Sequence, residues 1–377
     1  MKIHREPKQD IQSLRTLCSY LDFILVTPWY DFNKNSAYKP TIKKIYGCFF
    51  IAAKLTWWLF TIKYSIETYD KYKTALLSQK LGYIFIVSTL TIQCFLTIIT
   101  STFCGIKHWK TLFTNVEIFD SRINIREKVK MTPSKQLICS SIFQQAISLV
   151  LCLYVLYVFA VRLRTPLWKS LCLTMPLELL SEMWTLLLMN VINDVIKRRY
   201  QILNIKLVEV LRGVKVVQEL ENVVECYQML AETVEAFNRI FSYQMLLFIF
   251  HSGVQLIHCL NFGFVNSVTG GPTYYLTYLS NVFCLFVGSY NFLLFVLSLD
   301  STTREARKFI EICYKAQRWF KIQSEKVTAL IKLTNYSEYF MREFSACDFF
   351  VIKKSLIFSL IGHIATYYII AIQFNQS

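Results

Sequence analysis

Apolar runs of about 20 residues recur along the whole chain, and no other feature restricts its folding as strongly. A helix of about that length crosses the hydrocarbon core of a bilayer, and it satisfies its backbone polar groups internally, as lipid requires. Seven stretches qualify: residues 46–65, 81–104, 138–161, 170–192, 240–264, 274–299 and 355–374. The fourth is the most interrupted, because it contains Glu178 and Glu182 and because Pro176 should kink it. A chain of 377 residues would ordinarily suggest two or three soluble domains, but 54% hydrophobic residues and a mean hydropathy of +0.38 make lipid the solvent for much of this surface. Residues 1–10 are polar and charged, and the short apolar stretch at 21–26 is broken by Asp22 and followed by Pro28. A cleavable signal peptide is therefore not expected, and the first span should act as the membrane signal.

Charge sets the expected orientation. The net charge of +16 does not gather on one amphipathic face, as a nucleic-acid binder would require, but is strung between the apolar blocks. Alternate connections differ sharply: one set (1–45, 105–137, 193–239 and 300–354, leaving aside Lys353 and Lys354 beside the last span) carries 31 Lys+Arg, the other 6. The positive-inside rule puts the richer set, with the N-terminus, in the cytoplasm and the C-terminus outside. Asn335-Tyr336-Ser337, a glycosylation sequon, then faces the cytoplasm and should stay unmodified.

The two long connections read as helical. In 193–239, apolar residues recur at helical spacing (Val208, Leu211, Val214; Val223, Cys226 or Tyr227, Leu230, Val234, Phe237), and 300–349 repeats the pattern through Phe309, Ile312, Ala316, Trp319, Phe320, Ile322, Val327, Leu330 and Ile331. Both should extend the fourth, fifth and sixth helices below the membrane. Their stripes need burial either against another copy of the subunit or in a hairpin within one chain, and the pattern fits both. The expected organisation is a cytoplasmic segment at 1–45, six spans over 46–299 with a helical extension at 193–239, anchor helices at 300–354 and a last helix at 355–377.

Chemistry-bearing patterns are sparse. Of twelve cysteines, Cys48, Cys94, Cys152, Cys172, Cys259 and Cys284 fall inside apolar runs, and with no CxxC pair they read as small lipid- or core-facing residues. HExxH, GxSxG, P-loop and dinucleotide patterns are absent, so the chain should be no enzyme, and no cofactor is implied. Glu178 and Glu182 are an i, i+4 pair that fits a proton relay with His251, and hence a proton-coupled transporter. Contact between these carboxylates and polar groups on neighbouring helices, such as the histidine face of the fifth span, fits better. His251, Gln255 and His258 follow i, i+4, i+7 spacing and share a face, but the two histidines lie about two turns apart, too far to suggest a metal.

The last 23 residues carry the sharpest signal. Thr366-Tyr367, five apolar or aromatic positions, then Gln373-Phe374 close the seventh span, and this ending resembles the closing signature of insect gustatory receptors. The approach Phe344-Ser345-Ala346-Cys347-Asp348-Phe349-Phe350 and then 355–360 also looks like that family, as do Ile192-Asn193-Asp194 through Asn204 and Ala236-Phe237-Asn238-Arg239-Ile240-Phe241-Ser242. The motif match covers roughly the last 35 residues, the topology most of the chain. Two departures matter. The family often has Gly where Asp348 stands and an acidic or small polar residue at Lys353-Lys354, which puts the bend into the last helix in question. The sugar-sensing branch has Glu after the Thr-Tyr pair, where this chain has Tyr368.

The resemblance implies an all-α ligand-gated, non-selective cation channel, homotetrameric or heteromeric with related receptors, in the plasma membrane of a sensory neuron dendrite. Its last helix would line a shared pore, with Gln373 and Phe374 at or near the gate and Thr366, Tyr367 and Ile369 lower in the same helix. Without the motif, Gln373 reads as a polar anchor of a helix end. The tastant should bind within one subunit, in the outward halves of spans two to six. The candidates are Tyr154, Tyr157, Trp168, Thr174, Glu178, His251, Gln255, His258, Tyr275, Tyr278 and Asn281. Aromatic groups with a few hydrogen-bonding partners suit a rigid, mostly apolar molecule such as a bitter plant compound better than a free sugar. A fructose-type or other gustatory receptor and an odorant-receptor subunit are the nearest alternatives.

Overall fold

The computed structural model of the chain describes residues 40–71, 77–123, 176–213, 216–269, 272–320 and 325–376 without a break, together with isolated positions between 14 and 37 and between 143 and 160; of these, side chains at 30–31, 36–37, 40, 65, 68–71, 77–80, 104, 176–177, 216, 261–269, 272–278, 280–281, 284 and 370–376 lie outside the description. The third expected span, 138–161, falls largely on residues that are not described. Helix accounts for 91% of the described residues. The chain runs through β1 (Tyr30–Asp31), β2 (Ser36–Ala37), α1 (Pro40–Lys71), α2 (Leu77–Ile99), a π-helical turn (Thr100–Cys104), α3 (Ile106–Arg122), α4 (Pro176–Arg212), α5 (Val216–Thr269), α6 (Pro272–Gln317), α7 (Glu325–Phe340), β3 (Ser345–Ala346), β4 (Phe350–Val351) and α8 (Ser355–Gln376). Among the described residues two short antiparallel strand pairs, β1–β2 and β3–β4, interrupt an otherwise helical architecture.

Among the described residues five helices are long and apolar enough to cross a membrane, and a shorter apolar stretch, Ser355–Ile369, lies in the sixth. They match the expected spans except the third. Pro176, expected to kink the fourth span, is the first described residue of α4, and the part of that span before it lies outside the described residues.

As the periodicity predicts, α4, α5 and α6 run far past the apolar segments. Their extensions bury their stripes within the one chain, where Tyr200, Leu203, Leu207, Tyr227, Leu230, Phe309, Cys313, Leu330 and Leu333 are fully enclosed. Trp319 and Ile331, on the same predicted stripe, are exposed instead. Tyr227 stacks on Phe309 with ring centroids 4.6 Å apart and meets Tyr200 edge-on at 5.9 Å. Burial pushes the Cys313 thiol up to about 12, so this cysteine serves as a small apolar filler.

Where these extensions meet the apolar half of the bundle, a second aromatic cluster joins α3 to α5. Trp109 packs on Phe113 and Phe241, Phe241 on Phe237, and Phe237 edge-on against Phe344. The turn from α2 into α3 is tight: Gly105 N–H donates to Thr100 O at 2.7 Å, and a Cβ on Gly105 would stand 2.5 Å from that same oxygen. Only glycine fits there.

The family-like segments outside the last helix supply polar clamps between helices. Asn193 donates to Ser298 at 2.7 Å, Asn204 to the Glu305 carbonyl at 3.0 Å and Asn238 to the Glu343 carbonyl at 2.8 Å. Asn193 and Asn204 thus tie α4 to α6, and Asn238 ties α5 to the segment before β3.

Candidate functional site

Two side-chain systems are candidates, a buried polar core inside the apolar bundle and the surface of α8. The polar core begins with Lys54 of α1, whose ammonium donates to Glu178 of α4 at 2.7 Å, both residues being buried. One turn on, Glu182 lies 3.8 Å from Nε2 of His251 on α5, and Nδ1 of His251 shares a 3.1 Å hydrogen bond with Thr89 of α2. The two carboxylates thus contact neighbouring helices separately and do not act as a pair, as the reading of their i, i+4 spacing favoured. Lys54 was no more than a stray charge in the sequence. An ionisable residue inside a span calls for a buried partner, and that rule could have assigned it to Glu178.

The shared face of α5 divides between two neighbours. His251 and His258 are seven residues apart, which returns them to nearly the same side of the helix, and both point at α2. His258 sits over Gly82, where a Cβ would come within 2.9 Å of Nδ1, and lies 6.4 Å from the Tyr83 ring. Gln255 turns toward α6, so that a Cβ on Gly288 would meet its Oε1 at 2.8 Å. Glycine lets these helices approach closely enough for the polar side chains to nest. Further buried polar groups, which sequence reasoning missed, extend the core: Gln244 donates to Thr100 at 2.8 Å, and Asn291 donates to the Met183 sulfur at 3.3 Å.

The remaining pocket candidates are not brought together by the described residues. Tyr154 is half-buried and Tyr157 half-exposed, Trp168 and Thr174 lie outside the described residues, and Tyr275, Tyr278 and Asn281 lie on α6 with side chains outside the description. Of the cysteines placed in apolar runs, Cys94 and Cys259 are buried, Cys48 is exposed, and Cys152, Cys172 and the Cys284 side chain lie outside the description. No group of three or more potential metal ligands occurs among the described residues.

The α8 helix is held differently. Leu360 packs over Gly253 of α5, and Ile364 is buried. Most of the rest of its surface is open: Phe358 is 75% exposed, Ile361 55%, Ile369 56% and Tyr367 43%. Ser359, Gly362, His363, Thr366 and Tyr367 line a groove along one open face. His363 and Thr366 turn their polar atoms onto their own helix, His363 Nδ1 lying 2.6 Å from the Ser359 carbonyl and Thr366 Oγ1 donating to the Gly362 carbonyl at 2.9 Å. Gln373 and Phe374 follow seven and eight residues after Thr366 on the same helix, hence on the same face, and their side chains lie outside the description. Sequence reasoning passed over Ser359 and His363, although the i, i+4, i+7 run to Thr366 was visible.

The bend into α8 answers the question raised by Asp348. Cys347 and Asp348 have φ of 52° and 58°, the left-handed conformation that glycine adopts most cheaply. Aspartate is one of the few other residues that tolerate it, and Ser345 donates to its carboxylate at 2.9 Å. Lys353 pairs with Glu343 at 3.1 Å, and the Lys354 N–H donates to Asp300 at 3.3 Å. The departures from the family pattern are therefore accommodated within an ordered hairpin.

Comparison with known proteins gives consistent results. A sequence profile described as "7tm Chemosensory receptor" matches residues 14–377. The fold is similar to that of the insect olfactory receptor OR5 from Machilis hrabei, at 14% sequence identity with a TM-score of 0.68, covering 97% of this chain and 100% of that one. The same receptor in complex with eugenol is matched at 15% identity and a TM-score of 0.70, with the same coverage. Among curated protein sequences no match is found. A helical, multi-pass chain matched by this profile over nearly its whole length is a receptor and not an enzyme: it belongs to the 7tm chemosensory receptor family.

Proposed function

We propose that the chain is a gustatory receptor that acts as a ligand-gated, non-selective cation channel, with its N-terminus in the cytoplasm and its C-terminus outside. One observation carries this reading. The last helix is apolar, largely uncovered by the rest of the chain, and marked along one open face by Ser359, His363, Thr366 and Tyr367 in register with Gln373. A helix of this kind suits the wall of a conduit shared among copies: apolar positions such as Ile369 and Phe374 block ions by dewetting, and the Gln373 amide stabilises a wet open state. Four copies around one axis would cover the exposed flanks of α8 and leave that face toward the water. The Thr366-Tyr367 and Gln373-Phe374 ending favours the gustatory branch, and Tyr368 in place of Glu a ligand other than a sugar. The plasma membrane of a sensory neuron dendrite is the fitting location.

The tastant is a small, mostly apolar molecule such as a bitter plant compound, bound in the outward half of the bundle near His251, Gln255 and His258; that a similar receptor forms a complex with eugenol supports a small-molecule ligand. An odorant receptor is the second reading, favoured by the similarity to an olfactory receptor fold.

Recording currents from cells that express the chain, alone and with related subunits, against bitter compounds, sugars including fructose, amino acids and volatile odorants tests both readings. Ligand-evoked cation current is expected, and silence under every combination overturns the channel. Cysteines placed at Ser359 and Thr366 should react with a water-soluble thiol reagent in the open state and one at Ile364 should not; equal reactivity removes α8 from the pore. His258→Ala should shift ligand sensitivity at unchanged surface expression. A glycan on Asn335 would reverse the assigned sides.

A further inference from the structure

A groove of about 520 Å³ opens between α4 and α6 just beyond the apolar segments, within the roughly 300–1,000 Å³ range of small-ligand sites. Four cations line it: Lys197 from α4, and Arg304, Lys308 and Lys315 from α6. The α6 trio follows i, i+4, i+11 spacing, which places all three within about 40° of one another around the helix. Lys197 faces them across the groove, and the Gln201 amide and Ser301 hydroxyl add uncharged donors.

Two carboxylates share the lining, Glu305 and Glu311, leaving four cations against two anions. Glu305 is already engaged, accepting from the Asn204 amide at 3.3 Å. Its contact with Lys308 is 3.9 Å, as is that of Asp300 with Arg304, too long for hydrogen bonds, so both cations keep their donors free for another acceptor. Among the described residues Lys197 and Lys315 have no carboxylate within salt-bridge distance. Four cations gathered along one groove, two of them without a carboxylate in reach, repel one another, and an anion relieves that repulsion.

Depth selects the kind of anion. Lys197 and Arg304 each stand five residues past the ends of the apolar segments at 192 and 299, about 7–8 Å below the hydrocarbon, at the level of lipid headgroups. Lys308 and Lys315 continue the row by about 6 and 16 Å, so the cations form a ladder running down from the membrane surface. Basic pockets at this level between membrane helices hold phosphorylated headgroups on the cytoplasmic side.

We propose that the α4–α6 groove binds a multiply phosphorylated headgroup, supplied by an anionic lipid of the cytoplasmic leaflet, with one phosphate between Lys197 and Arg304 and a further phosphate toward Lys308 and Lys315. A lipid seated there bridges the fourth and sixth helices. The lipid source rests on the orientation proposed above; the phosphate chemistry does not.

The test uses the full chain in lipid nanodiscs, whose two faces are both open to solvent, so binding is read independently of sidedness. Nanodiscs containing a phosphoinositide bisphosphate are compared with phosphatidylcholine nanodiscs and with soluble inositol hexakisphosphate, using mass-resolved retention of the lipid and calorimetry for the soluble anion. The variant Lys197→Gln/Arg304→Gln/Lys308→Gln should bind on the order of 100-fold more weakly. A control that removes equal charge elsewhere, Lys107→Gln/Lys110→Gln/Lys332→Gln, should bind like the native chain, and raised salt should weaken native binding. Retention of the phosphoinositide that depends on the groove cations supports the proposal. Three results overturn it: no phosphoinositide retention, equal loss in the control variant, or binding of the soluble anion alone. An extracellular tag on the C-terminus, read on intact cells, reports orientation separately, so failure of the sidedness and failure of the groove are told apart.

Discussion

The helices beyond the apolar bundle and the helix that ends the chain are built from similar apolar residues, yet the chain treats them oppositely. The extensions of α4, α5 and α6 with α7 enclose their aromatic residues completely, with Tyr200, Tyr227 and Phe309 at 1% exposure or less. The α8 helix leaves Phe358, Ile361 and Ile369 more than half uncovered. A stripe that one chain can bury stabilises that chain. An apolar helix left open must find lipid or other copies, and it remains free to move when they do. The first region is therefore suited to hold the subunit rigid, and the second, on the function proposed above, to meet other copies and move.

The largest expected effect that tests this contrast is in the extension core. Phe309→Ala should destabilise the chain by about 3–5 kcal/mol, because it removes a fully enclosed ring stacked on Tyr227. A drop in melting temperature and loss of monodisperse protein on size exclusion would show it; a native melting curve would mean that this core does not carry the fold. Next, within the bundle, Glu178→Gln leaves the Lys54 ammonium buried without its counter-charge and should cost about 3–5 kcal/mol. Lys54→Met combined with Glu178→Leu should recover most of the loss in thermal stability. Failure to recover would show that the ion pair has a role beyond neutralising its own members.

Phe358→Ala should change the melting of the isolated subunit by no more than about 0.5 kcal/mol, since the ring is mostly exposed. It should nonetheless alter current or the fraction of assembled oligomer on native mass measurement, and an equal loss of subunit stability would erase the contrast. The smallest effect concerns pH. Burial raises the Glu343 carboxyl, but hydrogen bonds from Lys353 and Arg307 outweigh it and hold the group below the ordinary carboxylate value. A depressed folded-state value contributes stability above the unfolded value, about 4.3, and that contribution is lost as pH falls through the folded one. Glu343→Gln should therefore melt slightly earlier than the native chain at neutral pH, and the two should converge in acid. A gap that persists in acid would assign the effect to packing at the β3–β4 hairpin.

Much of this was legible in residue order. Spans of about 20 apolar residues and the helical spacing of Leu211, Val223, Leu230 and Phe237 gave the helices and their extensions, because hydrophobic length and period are local properties. The i, i+4, i+7 run of His251, Gln255 and His258 gave a shared face for the same reason. The partners of that face were not legible. That Lys54 meets Glu178 across 124 positions, that His251 bonds Thr89 across 162, and that Gln255 turns aside to Gly288 depend on which helices are neighbours. The β3–β4 hairpin was missed because its left-handed pair, Cys347 and Asp348, carries no glycine to announce it.

Residue order alone thus marked this chain as one for lipid and located the apolar helices and those that continue past their apolar segments, since burying apolar length is favourable whatever the neighbours. Tertiary structure alone decided which stripes close upon each other and which stay open, because covering a surface needs a second surface brought from far along the chain. The same reason explains why the polar core has two separate carboxylate contacts and why α8 keeps one face free.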